Sequence, residues 1–471
     1  KMPAKELSPI EIYKMLPGTN CKECGETNCM AFAAKLVNRE ATLEECKPLL
    51  EPDFADAYAN LWALLKPAVK AVEIGVEENA ITIGGEYVLY RHEFTYFHQP
   101  AIAVDVTDEM SDEEFNTRIH VLNDFTYNYI GMDLTLDILS VRCTSGDSAV
   151  FAEAVQKADE LTRKPLMLIA HDPIVMEAGL KIVAEKRPLM HGATKENWKE
   201  MAELSLQYSW PLVAYASNDL DTLKSLALTL REYGIEDIVI DPGTQPTAYM
   251  EKNINNYTIL RWDAINEEEE GLGYPIMGSP MAAWAVEEED PVLNEWNEAV
   301  LAGILITRFA DMMVIHGISG WSLLPLIILR SNIYTDPRKP VSVEPELVVM
   351  GTPNEESPVL LTTNFALTYY TVANDIENAK IDGYLLVVDS EGMSVESAVA
   401  GRKMTADTVA EAIKDSKVED LVKHRNIIIP GRSARLSGEI QEESGWSVSV
   451  GPLDSSGIPS YLSEKWNPYP D

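Results

Sequence analysis

Cysteine is scarce in this chain, with five in 471 residues, and four of the five, Cys21, Cys24, Cys29 and Cys46, fall within 26 positions. That clustering excludes a disulfide scaffold in a chain of this size and fits a reducing, cytoplasmic setting. Basic residues are also few: 38 Lys and Arg stand against 75 Asp and Glu, a net charge of −37. Such a field repels nucleic acid and anionic membrane surfaces, so neither is expected as a partner, and solubility is the simplest account of the acidity. Long apolar runs are missing too. The most apolar stretch, Val300–Leu329, is interrupted by Arg308, Asp311 and His316 and broken by Gly317, Gly320 and Pro325. A spanning helix needs about 20 apolar residues, so this stretch reads as buried domain core. The opening KMPAKELSPIEIYKMLPG alternates charge with apolar residues, and no secretory leader is expected. There is no fixed-period repeat and no low-complexity tract.

What is present is an α/β pattern long enough for several domains. Residues 1–59 read as short helices and loops; Ser8-Pro9-Ile10-Glu11 forms a capping box, Leu7 is placed to staple onto Ile12, and the helix stops at Pro17-Gly18. Residues 60–324 read as a (β/α)8 TIM-like barrel. Its eight apolar runs are Ala101–Val106, Leu136–Arg142, Leu166–Ala170, Pro188–His191, Leu212–Tyr215, Asp237–Asp241, Pro275–Gly278 and Met312–His316. Amphipathic stretches such as Ser111–Asn123, Ala149–Lys164, Lys195–Tyr208 and Asp219–Tyr233 separate most of them, as a parallel sheet with crossover helices requires; a doubly wound open sheet is the alternative. Thr335–Pro340 reads as a linker. Residues 325–471 then alternate again, with strands at Leu347–Met350, Val359–Thr363, Tyr384–Asp389, Asn426–Ile429 and Ser447–Val450, and helices at Phe365–Ile376, Thr405–Lys414 and Ala434–Glu443. This suggests a doubly wound, Rossmann-like domain.

The cysteines are spaced C-x2-C-x4-C-x16-C. Three thiolates from one tight loop and a fourth from a segment folding back can cage an iron–sulfur cubane. One tetrahedral zinc is the alternative. The single C-x2-C pair favours iron and sulfur, as does Cys29 at the start of the apolar helix Met30–Val37, capped by Thr27 or Asn28, where amide donors favour an anionic cluster.

CKECGETNCMAFAAKL, preceded by LPGTN and followed by the lone cysteine of ECKPLL, resembles the N-terminal cluster domain of the large (gamma) subunit of the corrinoid iron–sulfur protein. In methanogens that protein is part of the acetyl-CoA decarbonylase/synthase complex. SPVLLTTNFALTYYTVANDIE, YLLVVDSEGMSVESA, NIIIPGRSARLSGEIQEESGW and GPLDSSGIPSYL are similar to that family's corrinoid-binding domain, so the resemblance covers essentially the whole chain. It implies a [4Fe-4S] cluster on Cys21, Cys24, Cys29 and Cys46, and a base-off corrinoid on residues 325–471. The residues implied to contact the corrinoid are Thr352, Thr362, Thr363, Asn364, Phe365, Leu367, Thr368, Tyr370, Thr371, Gly392, Gly431, Ala434, Leu436, Ser437 and Gly438. Read from the residues alone, strand ends such as Gly351-Thr352, Thr362-Thr363-Asn364, Asp389, Pro430-Gly431 and Gly451-Pro452 are small or hydroxyl-bearing, and Phe365, Leu367 and Tyr370 suit a flat apolar face; ordinary strand-end turns would look alike. No D-x-H-x-x-G loop offers a histidine to cobalt, and His424 is expected to face solvent.

The resemblance implies a methyltransferase component. Its cobalt would accept a methyl group from methyl-tetrahydropterin, tetrahydrosarcinapterin in methanogens, and deliver it to the nickel–iron–sulfur centre of acetyl-CoA synthase, while the cluster restores Co(II) to Co(I). Implied partners are a smaller subunit forming a heterodimer, the acetyl-CoA synthase subunit, the methyl-pterin with its methyltransferase, and a low-potential donor such as ferredoxin. Two alternatives stand beside it: an iron–sulfur electron-transfer or scaffold subunit without corrinoid, and a barrel that is itself a pterin-dependent methyltransferase. The polar strand ends His171-Asp172, His191-Gly192, Asn218-Asp219, Asp241-Pro242 and His316-Gly317 face a barrel's usual catalytic mouth. Each histidine stands alone in sequence, which favours helix capping or docking over catalysis. Cys143 is expected to be a buried small hydrophobe, and the acidic runs Glu267–Glu270 and Val286–Asp290 to be solvated.

Overall fold

The computed structural model describes Ser8–Tyr469 apart from Glu287 and Glu289, so Leu7 and part of the second acidic run lie outside the described residues. The capping box forms at Ser8 and Glu11 on a helix Pro9–Tyr13, shorter than the sequence suggests. A helix Cys29–Asn38, three short turns and a helix Ala55–Leu65 follow; the last crosses the expected boundary at residue 59. Ile12, Phe32, Leu36, Leu49 and Leu61 bury against one another and against Cys29 and Cys46.

All eight predicted barrel runs are strands: β1 (Ala101–Thr107), β2 (Ile138–Arg142), β3 (Leu166–Ile169), β4 (Leu189–Ala193), β5 (Leu212–Tyr215), β6 (Ile238–Asp241), β7 (Met277–Gly278) and β8 (Met312–Ile315). They pair in parallel in the order β6-β5-β4-β3-β2-β1-β8-β7. Ile240 bridges Ile276, and the Ile240 amide donates to the Pro275 carbonyl at 2.9 Å, which closes the barrel and removes the open-sheet alternative. Inward residues such as Ala103, Met167, Leu189, Val213, Val239 and Met312 fill it, together with Val72, Ile74 and Ile83. Those three come from a hairpin, Ala71–Ile74 with Ile81–Gly84, that plugs one end of the barrel; its strands are too short to stand out in the sequence. The apolar stretch Val300–Leu329 divides among a helix Pro291–Thr307, β8 and a helix Gly320–Ile333, with Pro325 inside the last helix rather than ending it. Among the described residues no helix is long and apolar enough to cross a membrane.

The strand-end histidines do not stand alone. His191 Nε2 lies 3.0 Å from Asp241 Oδ2, and His316 Nδ1 lies 3.1 Å from Asp105 Oδ2. Residues 50 and 211 positions apart, brought together only by closure of the barrel, cannot be paired from sequence. Capping does hold for Asp172 and Asp219, which accept from the amides of Ile174 and Thr222. Cys143 is half-buried, 4.0 Å from Ser145 Oγ.

Next to the buried pair Arg261–Asp311, at 2.5 Å, sits Glu86, 3% exposed, whose carboxyl oxygens have no partner. Burial, and then the charge of Asp311, push its pKa up to about 9 from 4.5. A folded value above the unfolded one makes stability that is complete below pH 4.5 decline as pH rises through about 9. Glu86→Gln should therefore gain about 1–3 kcal/mol at pH 8 in urea unfolding, and its stability should vary less with pH than the wild type's. Parallel pH profiles for variant and wild type would contradict this.

The second unit comprises Asp336–Asp471 with the short segment Asn128–Asp133. It starts at the predicted linker; the expected boundary at 324/325 cuts the helix Gly320–Ile333. Its strands are β9 (Leu347–Met350), β10 (Val359–Thr363), β11 (Gly383–Val388), β12 (Asn426–Ile429) and β13 (Ser447–Val450), in the order β9-β11-β10-β12-β13, with β9 antiparallel and the rest parallel. Alternate strand residues feed two cores. Leu361, Leu386 and Ile427 pack with Val399, Val409 and Ile440, while Leu360, Leu385 and Ile428 pack with Ala373, Ile376 and Ile458. Both faces of the sheet are thus covered by helices. His424 does not face solvent: it is 1% exposed, its Nδ1 accepts from the Asn426 amide at 3.2 Å, and Nε2 donates to the Ser357 carbonyl at 2.9 Å. Trp446 and Trp466 flank its ring, and burial pushes its pKa down, so it is held neutral.

Candidate functional sites

The loop carrying the first three cysteines turns tightly, with left-handed backbone at Gly18, Asn20, Lys22 and Gly25. Asn20 clamps it: its Oδ1 accepts from the Cys29 amide at 2.9 Å, and its own amide donates to Cys29 Sγ at 3.4 Å. Asn28, rather than Thr27, caps the helix Cys29–Asn38 by accepting from the amides of Met30 and Ala31. Cys21 is exposed, Cys24 half-buried, and Cys29 and Cys46 buried. Burial pushes the Cys46 thiol up first, and Cys24, Cys29 and Cys21 add to this, so the four thiols lie within electrostatic reach of one another. Among the described residues no three His, Cys, Asp or Glu converge tightly enough to hold one metal ion. The donor set is four sulfurs with an amide aimed at one of them, and that chemistry fits an iron–sulfur cluster.

In the second unit a cavity of about 440 Å³ opens at the carboxyl ends of β10, β12 and β13. The chain leaves β10 toward β11 on one side and returns to β12 on the other, so the cavity sits at the topological switch point, where such sheets hold ligands. Of the residues singled out from sequence, Thr362, Leu367, Thr368 and Thr371 line it, as do the strand-end residues Pro430, Gly451 and Pro452. Thr362 Oγ1, fully buried, has no hydrogen-bond partner, and the same is true of Thr363 Oγ1 one position on. Leu367 and Leu453 leave an exposed apolar rim, at 51% and 71% exposure. An unpaired hydroxyl, an apolar rim and an absence of histidine among the lining residues fit a flat ligand with polar edges that takes no axial ligand from the protein.

The other predicted contacts lie elsewhere. Thr352 lies two residues past the end of β9, which runs antiparallel, so it sits beside the start of β11 with its amide donating to Asp382 at 2.8 Å. The sequence reading groups Thr352 with the ligand-facing strand ends of a doubly wound sheet, and the antiparallel direction of its strand puts it at the opposite end from the cavity. Asn364 ties strand ends together: its Oδ1 accepts from the amides of Ser390 and Gly392 and its Nδ2 donates to Asp389. Gly392, at φ +69°, leaves room for Pro340, and a Cβ on Gly431 would come within 3 Å of backbone at Gly451, Pro452 and Leu453. Leu436 belongs to the core. Phe365 precedes the helix Ala366–Asn378, the Tyr370 ring lies against Gly131, and Ala434, Ser437 and Gly438 do not line the cavity. Sequence reasoning misses Ser394, Glu396, Arg432, Leu453 and Ile458, which do line it. Arg432 and Glu396 form an ion pair at 2.9 Å there, a pairing with no sequence signal.

Family comparison agrees with this layout. A model described as CO dehydrogenase/acetyl-CoA synthase delta subunit matches residues 71–462, and an Fe-S cluster model matches residues 16–48. The chain is 45% identical over 470 residues to the acetyl-CoA decarbonylase/synthase complex subunit gamma of Archaeoglobus fulgidus, covering 98% of this chain and 99% of that one. The gamma subunit of Methanosarcina acetivorans is 43% identical over 98% of this chain and 99% of its own, and that of Methanocaldococcus jannaschii 37% over 98% and 97%. Among solved structures, a dihydropteroate synthase from Thermus thermophilus aligns with 56% of this chain and 100% of its own at a TM-score of 0.40 and 14% identity, too distant to bear on function. With relatives this similar along its full length, the chain belongs to the gamma-subunit family of the acetyl-CoA decarbonylase/synthase complex.

Proposed function

We propose that this chain is the methyl-carrying large subunit of a cytoplasmic corrinoid iron–sulfur protein. The observation that carries the reading is the switch-point cavity with the unpartnered Thr362 hydroxyl, in a chain that also holds a four-cysteine module. When bound, the corrinoid supplies a cobalt nucleophile for methyl transfer and a [4Fe-4S] cluster supplies the low-potential electron that keeps it reduced. The chain's own residues hold and shape. Thr362, Thr368 and Thr371 offer hydroxyls to the ligand's polar rim, Leu367 and Leu453 cover apolar surface, and Cys21, Cys24, Cys29 and Cys46 ligate the cluster. The methyl donor is a methyl-tetrahydropterin presented with its methyltransferase, and the acceptor is the acetyl-CoA synthase subunit. A smaller partner subunit completes the heterodimer, and a ferredoxin-like protein feeds the cluster.

The test is methyl transfer by the chain together with its smaller partner, reduced and offered methyl-labelled tetrahydrosarcinapterin with its methyltransferase. Label should become protein-bound and be released by light. An iron-loaded complex that takes up no light-releasable methyl group would sink this reading in favour of an electron-transfer or scaffold subunit.

A further inference from the structure

The helix Cys29–Asn38 begins at a proposed cluster ligand, and a helix that begins there can offer its first free amides to the anionic sulfurs beside it. This helix does not. Asn28 stands at the N-cap with extended backbone, and its Oδ1 accepts from two amides at once, Met30 at 3.0 Å and Ala31 at 2.9 Å. Its Nδ2 donates to Thr27 Oγ1 at 3.3 Å, which fixes the side chain with the carbonyl oxygen toward the helix. The amide one position back, that of Cys29 itself, is taken by Asn20 Oδ1 at 2.9 Å. Elsewhere in the module the Gly25 amide donates to the Lys22 carbonyl at 3.0 Å and the Cys46 amide to the Leu43 carbonyl at 3.1 Å. The cation carried by the helix is tied up as well, Lys35 being paired with Glu26 at 2.5 Å. Among the described residues one amide in the module, that of Asn20, is aimed at a cysteine sulfur, Cys29 Sγ at 3.4 Å.

Hydrogen bonds to sulfur and nearby positive charge stabilise a cluster more in its reduced state, which carries one more negative charge, and so raise its reduction potential. Oxygen acceptors that occupy the amides act in the opposite sense. Asn28 does most, because one oxygen holds two donors at the positive end of the helix dipole. As a cap alone, Asn, Asp and Ser serve a helix start about equally well. They differ in charge and in how many amides they hold, and a cluster beside them feels that difference. We propose that Asn28 is a positioning residue that sets the reduction potential of the cluster on Cys21, Cys24, Cys29 and Cys46, holding it below the value the same four ligands would give beside an open helix start. The consequence is a stronger one-electron reductant. This inference rests on the iron–sulfur reading of the cysteines and not on the corrinoid.

The experiment is a redox titration of the anaerobically purified full chain and of three variants, read by the electron paramagnetic resonance of the reduced cluster, with iron and sulfide counted on each. Asn28→Ala opens the helix start; at the potential where wild type is half reduced, its ratio of reduced to oxidised cluster should be about threefold or more. Asn28→Asp keeps the cap and adds a negative charge, so there the ratio should fall about tenfold, a shift of about 59 mV for one electron. Asn28→Ser, whose single hydroxyl caps less completely, should lie between the alanine variant and wild type. Aspartate and serine both preserve the helix start, so their displacements to opposite sides of wild type test the proposal even if Asn28→Ala loses iron. A purely structural cap predicts instead that both match wild type. Variants with full iron whose potentials do not follow this order, or a potential that rises in Asn28→Asp, overturn the inference and leave the cluster reading in place. A wild-type chain holding zinc in place of iron and sulfide removes both.

Discussion

Cys46→Ala will yield a chain with less than about a tenth of the wild-type iron and sulfide, and with the visible absorbance of the cluster gone. The expectation follows from where Cys46 sits. It is 6% exposed, held by the turn Leu43–Glu45 before it and by the Leu49 amide donating to its carbonyl at 2.9 Å, and it packs with Phe32, Leu43 and Leu49. Of the four cysteines proposed as ligands it is the one that lies outside the Cys21–Cys29 loop, so no neighbouring cysteine can replace it. The small N-terminal core includes Cys29 and Cys46 and will loosen with loss of the cluster, whereas the closed barrel keeps its own packing. Cys143→Ala is the control: that cysteine sits beside Ser145 in the barrel and should leave iron unchanged. Iron and sulfide assays on anaerobically purified variants decide it, and a Cys46 variant with full iron would remove the ligand assignment.

Thr371→Trp will cut cobalt uptake at least about tenfold while changing folding stability by less than about 0.5 kcal/mol. Thr371 is exposed on the helix Ala366–Asn378 and lines the switch-point cavity, its hydroxyl donating only to the Leu367 carbonyl at 2.7 Å. An indole there occupies ligand space and disturbs no core. Thr352→Trp, at the far end of antiparallel β9, should leave cobalt uptake unchanged. Cobalt measured on both variants after reconstitution with the proposed smaller partner separates the cavity from the rest of the sheet; equal loss in both would place the ligand elsewhere.

Much of the architecture was legible because strands buried on both faces are continuous apolar runs. All eight barrel strands and β10, β11 and β12 of the second unit fall where those runs are, whereas the edge strands β9 and β13 are partly exposed and β13 alternates Ser with Val. Strand direction was not legible: nothing local distinguishes antiparallel β9 from its parallel neighbours, so the end of the sheet to which Thr352 belongs could not be read. The helices Pro173–Ile182 and Met250–Asn266 escaped because one is largely apolar and the other mixes buried Asn253, Tyr257 and Arg261 into its inner face. Cysteine spacing revealed the cluster module because its ligands are close in sequence. The pairs His191–Asp241, His316–Asp105 and Arg432–Glu396 form only through the fold, and His424 between two tryptophans gave no sign of burial.

The central claim is that one chain carries both a corrinoid and a cubane cluster. Counting cobalt, iron and acid-labile sulfide in the anaerobically purified complex of this chain with its proposed smaller partner tests it most directly. About one cobalt, four iron and four sulfide per complex is the expected result. One zinc without sulfide, or iron and sulfide without cobalt, would contradict it.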